Sequence, residues 1–179
     1  MTYVVLVGAS GSGKSLIGEE LFTRLGWVFF SKDHIKEALA DSLGLGDEAW
    51  SRRLGAAAME ILYRTAATAT DAVLDSNFQG QLDTQRLEAL PGRKLQVFCR
   101  ADPEVIHDRV MGRVGTGARH PIHRDVINPG LAAAISHGSD AIVPVPLDCP
   151  TFRLDTTRGF DVEVLLAWLR EHVEGPTAR

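Results

Sequence analysis

The chain has 179 residues, 45% of them hydrophobic and 23% charged, with a formal net charge of −4. That is enough chain for a sizeable core, and the acidic balance argues against a dedicated nucleic-acid binder, which carries a basic surplus. No apolar run is long enough to cross a bilayer, and the N-terminus runs straight into a strand pattern without a signal-peptide layout, so a cytoplasmic protein is expected.

Tyr3-Val4-Val5-Leu6-Val7 is a short apolar run rich in β-branched residues, suited to a strand buried on both faces of a parallel sheet. Gly8-Ala9-Ser10-Gly11-Ser12-Gly13-Lys14-Ser15 follows and fits G-x-x-x-x-G-K-[ST]. From Leu16 the apolar spacing turns helical. Each residue type has a chemical reason. Small residues let the backbone wrap a polyphosphate and point its N–H groups inward. The positive end of the following helix faces the same anion. Lys14 supplies a point charge for the β- and γ-phosphates, and the Ser15 hydroxyl is a ligand for Mg²⁺. The expected nucleotide contacts are Gly8, Ser10, Gly11, Ser12, Gly13, Lys14, Ser15 and Leu16.

Trp27–Phe30 is the second predicted strand, after the helix-stopping Gly26. Asp33 follows it, where ligands bind in open α/β sheets. It suits a carboxylate that takes a proton from a substrate hydroxyl, and equally a cap for the helix predicted over 35–43. A long helix is predicted from Glu48 to about Thr70, with Arg52 near its start either reaching an anionic ligand or solvated. Ala72–Asp75 is the third strand. Asp75 at its tip is a candidate Mg²⁺ ligand or a simple turn residue, and Ser76 and Asn77 would face the substrate. Asp83 is expected to cap a short helix ending at Pro91-Gly92.

Leu95–Cys99 is the fourth strand, and Cys99 reads as a buried small hydrophobe. The two cysteines, Cys99 and Cys149, lack metal-type spacing. Asp102-Pro103-Glu104 is a helix start, and Arg109 and Arg113 share one face of that helix. Residues 112–125 then break regularity with glycines, Arg113, Arg119, Arg124, His120 and His123. Within an acidic chain this suits a flap that closes over phosphates and brings an arginine to the transferring group. A further helix is predicted over 125–137, an irregular Pro-rich connection over 141–150, a fifth strand at Thr151–Asp155, a last helix capped by Asp161, and a frayed tail over 175–179.

This order of parts resembles the small P-loop kinases: chloramphenicol phosphotransferase, shikimate kinase, gluconate kinase, nucleoside monophosphate kinases and the zeta-toxin group. It is most similar to chloramphenicol phosphotransferase in length and local stretches, while Arg119–His123 is more similar to predicted kinases related to the zeta toxins. The resemblance implies a single α/β P-loop domain over 1–179, with a five-stranded parallel sheet in the order 2-3-1-4-5 and helices on both faces. It implies ATP and Mg²⁺, with Lys14, Asp33 and either Arg119 or Arg124 in catalysis. Arg109, Arg113, Thr157 and Arg158 would lie against the nucleotide. Asp33, Arg52, Ser76 and Asn77 would meet the substrate, and Ser15 and Asp75 the metal. The implied reaction moves the γ-phosphate to a hydroxyl of a small molecule, in a monomer or homodimer with no membrane partner. A nucleotide-dependent switch with weak hydrolysis and a polynucleotide 5′-hydroxyl kinase are the rival readings.

Overall fold

A computed structural model describes residues 1–78, 80–113, 116, 119–123 and 142–174. In chain order the elements are β1 (Thr2–Gly8), α1 (Lys14–Leu25), β2 (Val28–Ser31), α2 (Lys32–Leu43), α3 (Glu48–Ala66), β3 (Asp71–Asp75) and α4 (Gly80–Ala89). They continue with β4 (Arg93–Arg100), α5 (Pro103–Met111), a 3₁₀ turn at Pro121–His123, β5 (Thr151–Asp155) and α6 (Val162–Glu174). The five strands pair in parallel in the order β2-β3-β1-β4-β5, as the resemblance to the small P-loop kinases implies.

The central strand explains the layering. Every residue of β1 is buried, because helices cover both faces of the sheet. Side chains alternate across a strand, so Tyr3, Val5 and Val7 pack with Leu62, Tyr63 and Ala66 of α3 and Leu87 of α4. Val4 and Leu6 pack on the other side with Ile17 and Leu21 of α1 and Leu165, Leu166 and Leu169 of α6. The register then sets the functional edge. Leu6 lies opposite Asp75, Ser31 also lies opposite Asp75, and Gly8 lies opposite Cys99. The carboxyl ends of the strands therefore deliver the glycine loop, Asp75 and the start of α2 to one rim, on both sides of the strand where the chain order reverses.

That closeness makes Gly8 obligatory. Its φ is 153°, and a Cβ there would sit 2.3 Å from the Cys99 carbonyl oxygen and 2.7 Å from the Ser12 hydroxyl. Backbone strain and overpacking each cost about 1–3 kcal/mol. Gly8→Ala should therefore lose about 2–4 kcal/mol of unfolding free energy in urea. A loss under about 0.5 kcal/mol, the size of an ordinary surface substitution, would contradict this account of the loop.

Several local expectations are corrected. α2 begins at Lys32, and its N-cap is Ser31, whose Oγ accepts from the His34 amide at 3.5 Å. Asp33 is therefore in the first turn, and its carboxylate is not used as the cap. α3 stops at Ala66 and not near Thr70: the amides of Thr68 and Ala69 bond three residues back, to Thr65 and Ala66, and turn the chain into β3. Asp83 lies inside α4, which already starts at Gly80, and accepts a hydrogen bond from the Tyr63 hydroxyl at 2.9 Å. Cys99 is buried, and burial pushes its thiol up to about 12. The predicted helix over 125–137, Arg124 and the tail over 175–179 lie outside the described residues.

Candidate active site

The glycine loop closes on itself before α1 begins. The Ser12 amide bonds the Ala9 carbonyl at 3.1 Å, and Gly13 takes the N-cap position with φ 88°, a left-handed conformation that glycine adopts at no steric cost. Lys14 is folded back over the loop, its Nζ donating to the carbonyls of Gly8 at 2.7 Å and Ala9 at 2.8 Å. Burial lowers the pKa of this ammonium, and the neighbouring Asp75 opposes the shift. The loop thus holds a desolvated cation hydrogen-bonded to two neutral carbonyls, with the Asp75 carboxylate nearby in its favour. The Ser12 hydroxyl is also fully buried and has no hydrogen-bond partner among the described residues.

The Ser15 hydroxyl donates to Asp75 Oδ2 at 2.8 Å. Asp75 is 5% exposed, and burial raises the pKa of its carboxyl while Lys14 and the Ser15 hydroxyl pull it down. Two hard oxygens side by side, one belonging to a poorly solvated carboxylate, are the donor set that suits Mg²⁺ bound with water and phosphate. A glycine loop leading into a helix N-terminus and a buried ammonium fit the phosphates.

Across the rim stands Asp33. Its Oδ2 accepts from Arg119 Nη2 at 3.2 Å, its Oδ1 lies 3.7 Å from Lys32 Nζ, and His123 Nδ1 approaches to 3.9 Å. Burial favours the neutral acid, but His123, Arg119 and Lys32 together outweigh it and hold the carboxyl below its ordinary range. Arg119 therefore sits on the candidate base and not over the glycine loop, which alters the picture of a free flap arginine. Of the expected flap, residues 112, 113, 116 and 119–123 are described, and 119–123 rest against α2 and α3, with Ile122 buried between Ala40 and Leu54.

Thr156 and Arg109 join the loop to β5. Arg109 donates to the Gly11 carbonyl at 3.2 Å, to Thr156 Oγ1 at 3.1 Å and to the Thr156 carbonyl at 2.6 Å. The Thr156 hydroxyl lies 2.9 Å from the Ser12 carbonyl, to which it donates. Thr156, which carries these bonds, is not among the residues expected from the sequence, which are its neighbours Thr157 and Arg158. Thr157 instead braces the start of α5, its Oγ1 accepting from the Asp102 amide at 3.0 Å, and Arg158 is exposed.

A cavity of about 510 Å³ connects these groups. Ser10, Gly11, Gly13, Lys14, Ser15 and Leu16 line its phosphate end, with Arg109, Arg113 and Thr156. Asp33, Asp75, Ser76, Asn77 and Arg119 line the same cavity, with Asp75 beside Ser15. Gly8, Ser12, Thr157 and Arg158 are not in the wall. Arg52 is not either: it is two-thirds exposed and pairs with Glu48, its i, i+4 neighbour on the same helix. Ser31, Glu19, Gly159 and Phe160 also line the cavity without having been singled out from the sequence.

Residues 4–134 match the family model described as an AAA domain. A crystal structure of a candidate kinase from Chloroflexus aurantiacus is 35% identical, superimposes with a TM-score of 0.87, and is covered over 97% of its length by 96% of this chain. The shikimate kinase of Symbiobacterium thermophilum is 34% identical over 116 residues, which are 62% of this chain. The chain spans 64% of that curated relative's length. A gluconokinase from Sinorhizobium meliloti shares the fold, with a TM-score of 0.61 at 17% identity, over 97% of this chain and 94% of that one.

Proposed function

The chain belongs to the AAA domain family of P-loop proteins, and from that premise we propose an ATP- and Mg²⁺-dependent phosphotransferase acting on a hydroxyl of a small molecule. One observation carries the reading: the Lys14 ammonium, the Ser15–Asp75 pair and the Asp33 carboxylate open into a single cavity of about 510 Å³. That volume is of the size that small-molecule sites have. The naming of a shikimate kinase and a candidate kinase among its relatives supports the same class.

In this reading the loop amides and Lys14 bind the β- and γ-phosphates. Ser15 and Asp75 hold the metal, which when bound offsets phosphate charge. Arg109, already clamped to Gly11 and Thr156, keeps the loop seated against β5. Asp33 orients the acceptor hydroxyl and accepts its proton. The new bond forms from that oxygen to Pγ, and the bond from Pγ to the bridging oxygen breaks, leaving ADP. Arg119, within reach of Asp33, offsets charge on the moving group once the acceptor has displaced it from the carboxylate.

The test is ADP release from Mg²⁺–ATP across a panel of sugars, polyols, cyclic hydroxy acids, aminoglycoside and phenicol antibiotics, nucleosides and a 5′-hydroxyl oligonucleotide. Stimulation by one small hydroxyl compound, with mass spectrometry showing its phosphate ester, is the expected result. Slow ATP loss indifferent to every compound would instead indicate a nucleotide switch.

A further inference from the structure

Helix α2 carries Asp33, Glu37 and Asp41 at every fourth position, so their carboxylates share one helix face. The stretch from Arg119 to His123 lies along that face. Arg119 meets Asp33 at 3.2 Å, His123 Nε2 meets Glu37 Oε1 at 2.7 Å, and His120 Nε2 meets Asp41 Oδ1 at 3.1 Å. The stretch is anchored from beneath as well. The Ile122 carbonyl accepts from the Ser51 hydroxyl at 2.9 Å and from Lys36 Nζ at 3.4 Å, and both donors are buried. His123 is the innermost member of the clasp, with a side chain only 5% exposed and its second nitrogen 3.9 Å from Asp33.

We propose that His123 is a positioning residue for Asp33: its imidazole, fixed by Glu37, sets where the Asp33 carboxylate stands, and its protonation draws that carboxylate from the acceptor cavity into the clasp. The inference rests on the reading of Asp33 as the group that meets the acceptor.

The chemistry follows from the two ring nitrogens. At 2.7 Å from a carboxylate, Nε2 carries the proton and donates to Glu37. In the neutral ring Nδ1 then turns a lone pair toward Asp33, and nothing binds the two together. A second proton gives Nδ1 a donor, and the approach of 3.9 Å becomes a charge-assisted contact. Among the described residues, the charged and titratable groups set against this ring are Asp33 and Glu37 of α2, with Arg119 and His120 of its own stretch; Lys32 pairs with Asp33, Lys36 donates to the neighbouring Ile122 carbonyl, and Asp41 meets His120. Burial lowers the His123 pKa; Asp33 and Glu37 resist this, while Arg119 adds to it. The ring is therefore neutral at pH 7 and takes its second proton below the ordinary imidazole value of about 6.5.

Two readouts test this. The first is carboxyl ¹³C NMR of Asp33 in the nucleotide-free protein, which is independent of turnover. The second is the pH profile of kcat. The variant is His123→Gln, whose amide still donates to Glu37 but cannot take a second proton. The wild-type Asp33 signal should show an inflection at the His123 titration, and His123→Gln should abolish it. The acid limb of kcat should move down by about one pH unit, with KM for ATP within about twofold. An Asp33 signal unchanged by His123→Gln overturns the proposal. If that variant does not fold, Glu37→Gln replaces it: losing this acid should lower the pH of the inflection, and an unmoved inflection is equally fatal. An NMR coupling in a protein that phosphorylates no acceptor would support the positioning of Asp33 while refuting the kinase reading.

Discussion

Replacing Lys14 with methionine should abolish nucleotide-dependent behaviour while leaving the free protein at least as stable. The two halves of this result have different causes. In the free protein the ammonium is desolvated and hydrogen-bonded to the carbonyls of Gly8 and Ala9, and its pKa is lowered because burial outweighs the pull of Asp75. A side chain of similar length without the charge removes that cost, and such replacements of buried charges are often neutral or stabilising. With triphosphate present the balance reverses, because the ammonium gains an anion in a dry site. Ligand at a hundredfold excess over Kd stabilises a native state by about 2.7 kcal/mol, which for a chain of this size raises Tm by roughly 5–10 °C. Wild type should show that shift with Mg²⁺–ATP and Lys14→Met should show none, with kcat reduced by about 10²–10³-fold or more. A full thermal shift in the variant would remove Lys14 from the phosphate site and with it the basis of the proposed function.

Asp33→Asn should lower kcat by about 10²-fold with KM for ATP within a few-fold. General-base contributions run to about 10²–10⁴, and the lower end applies here for a stated reason. The best catalytic base has a pKa near the working pH, whereas His123, Arg119 and Lys32 outweigh the effect of burial and hold the Asp33 carboxyl below its usual range. Such a carboxylate orients a hydroxyl well and takes its proton late. The amide of asparagine still accepts from Arg119, so the clasp survives and the loss reports on the acceptor. Measured kcat equal to wild type would dismiss Asp33 as the acceptor-side group. A rise in KM for ATP of tenfold or more would instead make it part of nucleotide binding.

The phosphate half of the site was legible in the chain because its requirements are local. A strand, a run of small residues, a lysine, a hydroxyl and a helix start are consecutive, and Gly8 and Gly13 have the backbone angles such a loop needs. Order 2-3-1-4-5 came from the resemblance to the small P-loop kinases; alternating strand and helix signals with right-handed crossovers narrow the parallel arrangements without choosing that one. The chain also offered Asp33, Ser76, Asn77 and Arg119 for the acceptor side, and all four line the cavity; what it did not show is the pairings between distant residues that arrange the site. Asp33 and Arg119 are 86 residues apart, as are Glu37 and His123, and Arg109 and Thr156 are 47 apart. Helical spacing alone places Asp33, Glu37 and Asp41 on one face of α2, but nothing in that spacing says that a basic stretch lies along it. Packing of Ile122 between α2 and α3 decides this, and it turns Arg119 and His123 from candidate flap residues into the neighbours of the candidate base. The same logic separates Arg52 from the cavity: its place near the start of α3 was readable, but only the folded chain shows it exposed, paired with Glu48 and outside the cavity wall. Sequence by itself therefore determined the glycine loop that we propose holds a triphosphate, while tertiary structure decided what stands opposite it, since the first depends on consecutive backbone geometry and the second on which side chains long-range packing brings into contact.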